Sequence, residues 1–311
     1  MKLVSFSTNE LPTPHLGIVR DDEVVDVDLA GRALQLSVPD QMLALIENYE
    51  QYQNALQAIL SKAANRRFTE VKTFTDVGAA HKLSEVQLAA PIPQPRKNIM
   101  CLAVNYKEHA QETANVRGHS GETPEYPVFF TKAPTTINGP YGDIVIDPAV
   151  SSEIDWEVEL GVILGKKGKN IREEDALSYV FGYTVLNDIT ARDLQTRHKQ
   201  FFKGKSLDGS CPIGPWIITA DEISNPHNLA LSLRVNGQTK QNSNTSLMIF
   251  SINRAIAVLS AGMTLDAGDI IATGTPSGVG FSRTPPEFLK PGDVVEAEVE
   301  GIGLIRNRVT E

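Results

Sequence analysis

Residues 155–168 read Asp155-Trp156-Glu157-Val158-Glu159-Leu160-Gly161-Val162-Ile163-Leu164-Gly165-Lys166-Lys167-Gly168. From Glu157 to Leu164 polar and apolar residues alternate before a Gly-Lys-Lys-Gly turn, the pattern of a strand. In a strand, residues two apart project from one face. Glu157 and Glu159 therefore stand side by side, with Asp155 a candidate third carboxylate, while Val158 and Leu160 turn towards a core. Neighbouring carboxylates repel unless a proton or cation lies between them, and a hard divalent cation with oxygen ligands is one solution. An exposed strand face that happens to carry acids fits the same spacing.

Outward from this strand, the chain after Lys97 is strand-dominated. Strands are expected over 99–104, 183–187, 229–235, 269–273 and 294–299, the third ending in the hairpin signal Asn236-Gly237. Helices are expected over 106–116, 172–180 and 246–260, the last stopping before Gly262. The first ~95 residues read differently. Short strands are expected over 3–6, 16–20 and 24–27, then one helix over 41–64 with Leu43, Leu45, Ile46, Leu56, Ile59 and Leu60 as its apolar positions. Pro91, Pro93 and Pro95 remove amide donors and fix the backbone, so 88–96 reads as an extended connector. The expected architecture is a β-rich α+β chain with a small N-terminal α/β domain, residues 1–95, before a larger domain, 96–311.

The net charge of -9 over 311 residues disfavours nucleic acid and anionic membrane partners. No apolar run reaches the roughly 18 residues of a membrane span, and the first residues lack a signal-peptide pattern. The two cysteines, Cys101 and Cys211, form no zinc-like pair and suit a reducing compartment. The expectation is a soluble cytoplasmic protein.

Further segments carry chemistry. Asp188, in Val185-Leu-Asn-Asp188-Ile-Thr-Ala-Arg192-Asp193, closes an apolar strand and opens a helix, a place for a ligand or equally for a helix cap. His109 and Glu112 are three apart on a helix and share a face, which makes them an acid–base pair or a surface contact. Phe202-Lys-Gly204-Lys205-Ser206 is no phosphate loop, because Lys199 stands where that motif needs its first glycine. Lys205 is a candidate partner for a substrate carboxylate or a solvated lysine. Thr273-Gly-Thr275-Pro-Ser-Gly-Val-Gly280 is a glycine-rich loop able to bring amides and hydroxyls to a ligand, or a tight structural turn.

In order, Asn105-Tyr106 with His109 and Glu112, Phe129-Phe-Thr-Lys132, Glu157-Val-Glu159-Leu-Gly161, Asn187-Asp188-Ile-Thr-Ala-Arg192-Asp193, Gly204-Lys205-Ser206 with Cys211-Pro212, Asn236-Gly237, and the loop from Thr273 to Gly280 resemble the fumarylacetoacetate hydrolase family over roughly residues 97–305. One departure is Ala103, where members usually carry glycine. The resemblance implies a mixed β-sandwich roll, usually a homodimer, with the N-terminal ~95 residues like the small extra domain of longer bacterial members. It implies Mg2+ or Mn2+ on Glu157, Glu159 and Asp188, His109 and Glu112 as a catalytic dyad, and Lys205, Gln195 and Thr275 as substrate contacts, Lys205 also catalytic. The implied reaction is cleavage of a C–C bond in a small 2-oxo carboxylic acid through a metal-bound enolate, with oxaloacetate decarboxylation to pyruvate first. The alternatives are an acylpyruvate hydrolase, a hydroxymuconate-type isomerase or decarboxylase, and, in another class, a non-catalytic metal-binding regulatory module.

Overall fold

The computed structural model describes residues 1–64, 74, 77–117 and 123–311. Its frame is a twelve-stranded sheet. Val158–Leu164 lies inside it, antiparallel to Val180–Asn187 on one side and to Ile270–Ala272 on the other. All seven residues of this strand are buried. The alternation in its sequence separates two covered faces rather than a core from solvent. Val158, Leu160, Val162 and Leu164 pack towards a second, five-stranded sheet, against Leu231, Leu233, Val295, Ala297 and Ile305. Ile163 points the other way, into a core shared with Leu45, Ile46, Leu56 and Ile59 of two N-terminal helices. A mixed α+β, sheet-rich architecture is thus present, as expected; neither sheet path closes into a barrel.

The first strand, Lys2–Ser7, pairs with Cys211–Thr219 through Lys2–Ile218 and Leu3–Ile217. The N-terminal strands extend the large sheet and share its core. The expected helix over 41–64 is two helices, Met42–Glu47 and Tyr49–Ala64, broken at Asn48, whose amide caps Leu45. Val27 opens a helix, Val27–Ala33, instead of ending a strand, because the Asp26 carboxylate accepts the Leu29 amide at 2.9 Å. The helix expected from residue 246 begins at Ile252, where Ser251 Oγ accepts the Arg254 amide at 3.1 Å. The Asn236-Gly237 hairpin turn forms with φ of 51° and 76°, left-handed values that suit asparagine and glycine. Among the described residues no helix is long and apolar enough to cross a membrane.

One side chain ties three of these parts together. Asn105 Nδ2 donates to the carbonyls of Thr273 at 2.8 Å and Phe250 at 3.1 Å, and its Oδ1 accepts the Phe250 amide at 2.7 Å. It is 1% exposed, so truncation strands these backbone groups away from water. Asn105→Ala is expected to lower unfolding free energy by about 2–4 kcal/mol, with the denaturant slope unchanged in a urea titration. A loss within experimental error of zero contradicts this bracing role.

Candidate active site

The register of the central strands makes the site. Val158 pairs with Asn187, the Asp188 amide donates to the Glu157 carbonyl at 2.8 Å, and Asn187 Oδ1 accepts the Glu157 amide at 3.0 Å. Asp188 is thereby set beside the two glutamates that share a face on the next strand. Glu157, Glu159 and Asp188 each offer one carboxylate oxygen, all within 4.8 Å of one another. They are 5%, 1% and 0% exposed, which removes the reading of a solvated acidic face. Asp188 is no helix cap: Oδ1 meets Lys132 Nζ and Oδ2 meets Lys205 Nζ, each at 2.7 Å.

Asp155 does not join this cluster. Its oxygens accept the amides of Gly280 at 2.7 Å and Phe281 at 3.1 Å and the Arg192 Nε at 2.8 Å. Arg192 Nη2 also lies 2.7 Å from Glu157 Oε1, an ion pair bent away from hydrogen-bond geometry. Four buried carboxylates, Asp155, Glu157, Glu159 and Asp188, thus face three buried cations, Lys132, Arg192 and Lys205. The imbalance falls on Glu159. Burial first, then Asp188 and Glu157, push its carboxyl well above the usual range. Burial also opposes ionisation of Glu157, but Lys205 and Arg192 overcome it and bring that group down to about 2. The three carboxylates form an all-oxygen donor set that fits a hard divalent cation, within a network that holds one more carboxylate than cations.

His109 Nδ1 lies 2.8 Å from Glu112 Oε1, as their helical spacing suggested. Glu112 is itself held: its Oε2 accepts the Gly278 amide at 2.9 Å and Ser282 Oγ at 3.0 Å. The glycine-rich loop therefore has a definite use. Its three glycine amides each grip an acidic side chain, Gly274 on Glu159 at 2.6 Å, Gly278 on Glu112 and Gly280 on Asp155. Gly274 has φ of 91°, and an added Cβ would lie 2.8 Å from the Asn105 Cβ, so glycine is required there. The part of the adjoining 118–127 loop that covers 118–122 lies outside the described residues.

A small cavity of about 40 Å³ opens between His109, Glu157, Arg192, Gln195 and Lys205, closed by Phe130, Phe201 and Phe281. Lys205 spends its ammonium on Glu157 Oε2 and Asp188 Oδ2, both at 2.7 Å, and is 2% exposed. Gln195 Oε1 accepts from Arg192 at 3.3 Å. Thr275 stands behind the site, donating to the Val158 carbonyl at 2.9 Å and accepting from Gln241 at 2.8 Å. Lys132 and Arg192 complete the charge network with Asp155 and were given no role from the sequence, although both lie within quoted motifs. The only hint was their position beside Phe129-Phe130 and Asp188. A larger cavity, about 1060 Å³, lies elsewhere between Tyr49, Phe181 and the 165–167 turn. Most of its charges pair with one another, Lys97 with Asp266 and Asp269 and Lys166 with Glu50.

Two packed sheets carry a buried triple-carboxylate centre beside a histidine–glutamate pair, the groups that metal-assisted acid–base chemistry uses. Residues 98–310 match the family model described as fumarylacetoacetate (FAA) hydrolase C-terminal. The chain belongs to the fumarylacetoacetate hydrolase family and is an enzyme of it. It is 45% identical over 312 residues to oxaloacetate tautomerase YisK of Bacillus subtilis, covering 98% of this chain and 100% of that one. Its fold is similar to a fumarylacetoacetate hydrolase from Exiguobacterium antarcticum, with a TM-score of 0.78, 35% identity, and 100% and 99% of the two chains covered. It is also similar to maleylpyruvate hydrolase from Sphingobium sp. SYK-6 solved with manganese(II) and pyruvate, with a TM-score of 0.75, 31% identity, and 100% and 99% covered. That neighbour's manganese and the buried acidic triad here both point to divalent metal binding.

Proposed function

We propose that the chain interconverts the enol and keto forms of oxaloacetate, with Mg2+ or Mn2+ held by Glu157, Glu159 and Asp188. The observation that carries this reading is the triple-carboxylate centre, one member of which, Glu157, borders the same chamber of about 40 Å³ as His109, the partner of Glu112, taken with the similarity to an oxaloacetate tautomerase. Oxaloacetate is the substrate expected from the sequence. Decarboxylation, placed first there, draws on the same enolate chemistry, and the assay below separates the two.

A bound divalent cation supplies Lewis-acid stabilisation of negative charge on the 2-oxo oxygen. The protein's own groups handle the proton. Glu112 takes the Nδ1 side of His109, which leaves Nε2 to accept the proton of the enol hydroxyl and, as the imidazolium so formed, to return a proton to C3. Lys205, Arg192 and Gln195 border the chamber and orient the carboxylates of the diacid. Thr275 and Gln241 brace the Val158 backbone between the two glutamates. Every residue with a role lies beyond residue 96, which supports treating 96–311 as the catalytic domain and 1–95 as an accessory one. A homodimer in the cytoplasm belongs to the same proposal.

The test follows enol absorbance and pyruvate together after oxaloacetate is added to protein with Mn2+, with Mg2+, or with a chelator. Metal-dependent acceleration of enol loss without pyruvate is expected. Pyruvate appearing at the same rate replaces tautomerisation by decarboxylation, and no catalysis under any of the three conditions overturns both.

A further inference from the structure

Behind the small chamber lies a second space of about 630 Å³, bordered by Val116, Glu153, Thr196, Lys199, Pro286 and Phe288. Val116, Thr196, Lys199 and Pro286 are exposed, so this space opens to solvent. Four residues border both spaces: Arg192, Gln195, Phe201 and Phe281. Two of the four are aromatic, and each ring is held from the inner side. Phe201 packs edge-on against Phe130, centroids 5.5 Å apart at 70°. Phe281 lies under the Arg192 guanidinium, 4.3 Å from its central carbon, and its amide is fixed by Asp155 at 3.1 Å. The Phe201 carbonyl accepts the Lys205 amide at 3.0 Å, which ties the ring's backbone to the floor of the chamber.

We propose that Phe201 and Phe281 are the specificity-determining wall of this enzyme, a size gate that confines turnover to 2-oxo acids with a compact arm at C3. The inner chamber holds about three water-sized spheres, so a bulky arm has no room on that side. The outer space, about 630 Å³ against about 40 Å³, has room for such an arm and offers it the rings of Phe201, Phe281 and Phe288 among polar neighbours. Among the described residues, the two rings are the apolar part of the wall, with Arg192 and Gln195, that stands between a long arm and that space while the 2-oxo acid end stays against Lys205 and Arg192. This rests on the 2-oxo acid reading above and names the substrate class more narrowly.

The probes are oxaloacetate, with a carboxylate arm, and phenylpyruvate, whose phenyl ring is carried on the same carbon and whose enol tautomerises in the same way. Turnover is measured with Mn2+, and binding of each acid to the Mn2+ form is measured by calorimetry. Wild type is expected to favour oxaloacetate in both. Phe201→Ala and the milder Phe281→Leu are expected to raise the phenylpyruvate-to-oxaloacetate ratio of kcat/KM by about tenfold or more. Phe288→Ala, on the far side of the outer space, is expected to leave the ratio alone. Equal use or equal binding of the two acids by wild type overturns the gate, as does an unchanged ratio in both wall variants with thermal midpoints intact. Size-selective binding by a wild type inert towards both acids upholds the gate and overturns the tautomerase reading alone.

Discussion

Glu159→Gln is expected to weaken Mn2+ binding by on the order of 100-fold while leaving the metal-free protein as stable as before, or more so. The change is nearly isosteric, and the amide oxygen can still accept the Gly274 amide now bonded to Glu159 Oε2. What disappears is one of three anionic oxygens in the cluster. Outer-shell partners of metal ligands already cost 10–100-fold when removed, so a direct ligand belongs at or above the upper end. The stability side follows from charge. Glu159 is 1% exposed and destabilised as an anion by burial, Asp188 and Glu157, and removing such a group relieves a strained buried charge. Calorimetric titration with Mn2+ measures the first effect. The thermal midpoint with and without Mn2+ measures the second, because a ligand that binds only the folded state raises it by mass action. Undiminished Mn2+ affinity removes Glu159 from the centre and the metal chemistry with it.

How much of this could be seen beforehand depends on sequence distance. The two glutamates were legible because a strand's period of two is local information, and His109 with Glu112 because a helix spaces them three apart. Asp188 was legible as a strand end, though its rivalry with a capping role was settled only by the lysines that reach it. Those lysines come from 56 residues upstream and 17 downstream, Lys132 and Lys205. Asp155 and Arg192 meet across 37 positions, a distance at which periodicity carries no information. For that reason Asp155 looked like a ligand while its real partners are a guanidinium, two loop amides and the neighbouring Trp156 amide. The same limit explains the central strand. Alternation suggested one wet face, but the covering of the second face is supplied by Leu45, Ile46, Leu56 and Ile59 from the far end of the chain. Local breaks were missed for a different reason. Asn48 and Ser251 end or start helices by individual hydrogen bonds, and a window of apolar positions averages over such single-residue events.

His109→Ala separates chemistry from metal binding, and its expected signature is opposite to that of Glu159→Gln. The imidazole borders the chamber but is not among the three carboxylates, so Mn2+ affinity should hold. The helix that carries both residues, Lys107–Arg117, should also hold. Alanine is the best helix former, and Glu112, which loses its bond to Nδ1, keeps the Gly278 amide and Ser282 Oγ. Removal of Nε2 deprives the enol proton of its acceptor, and positioned acid–base groups contribute about 10²–10⁴-fold. The expected result is a fall of that size in kcat for oxaloacetate tautomerisation, with oxalate still bound to the Mn2+ form. Glu112→Gln should give a smaller fall, since it leaves the ring in place and disturbs only which nitrogen carries the proton. If His109→Ala kept full kcat, the proton would have to be handled by Lys205, since the Arg192 guanidinium that also borders the chamber stays charged. Its ammonium is pinned between Glu157 and Asp188, and both carboxylates favour its charged form against the opposing cost of burial. A lysine so held is a poor base, which is why the proposed mechanism gives the proton to the histidine.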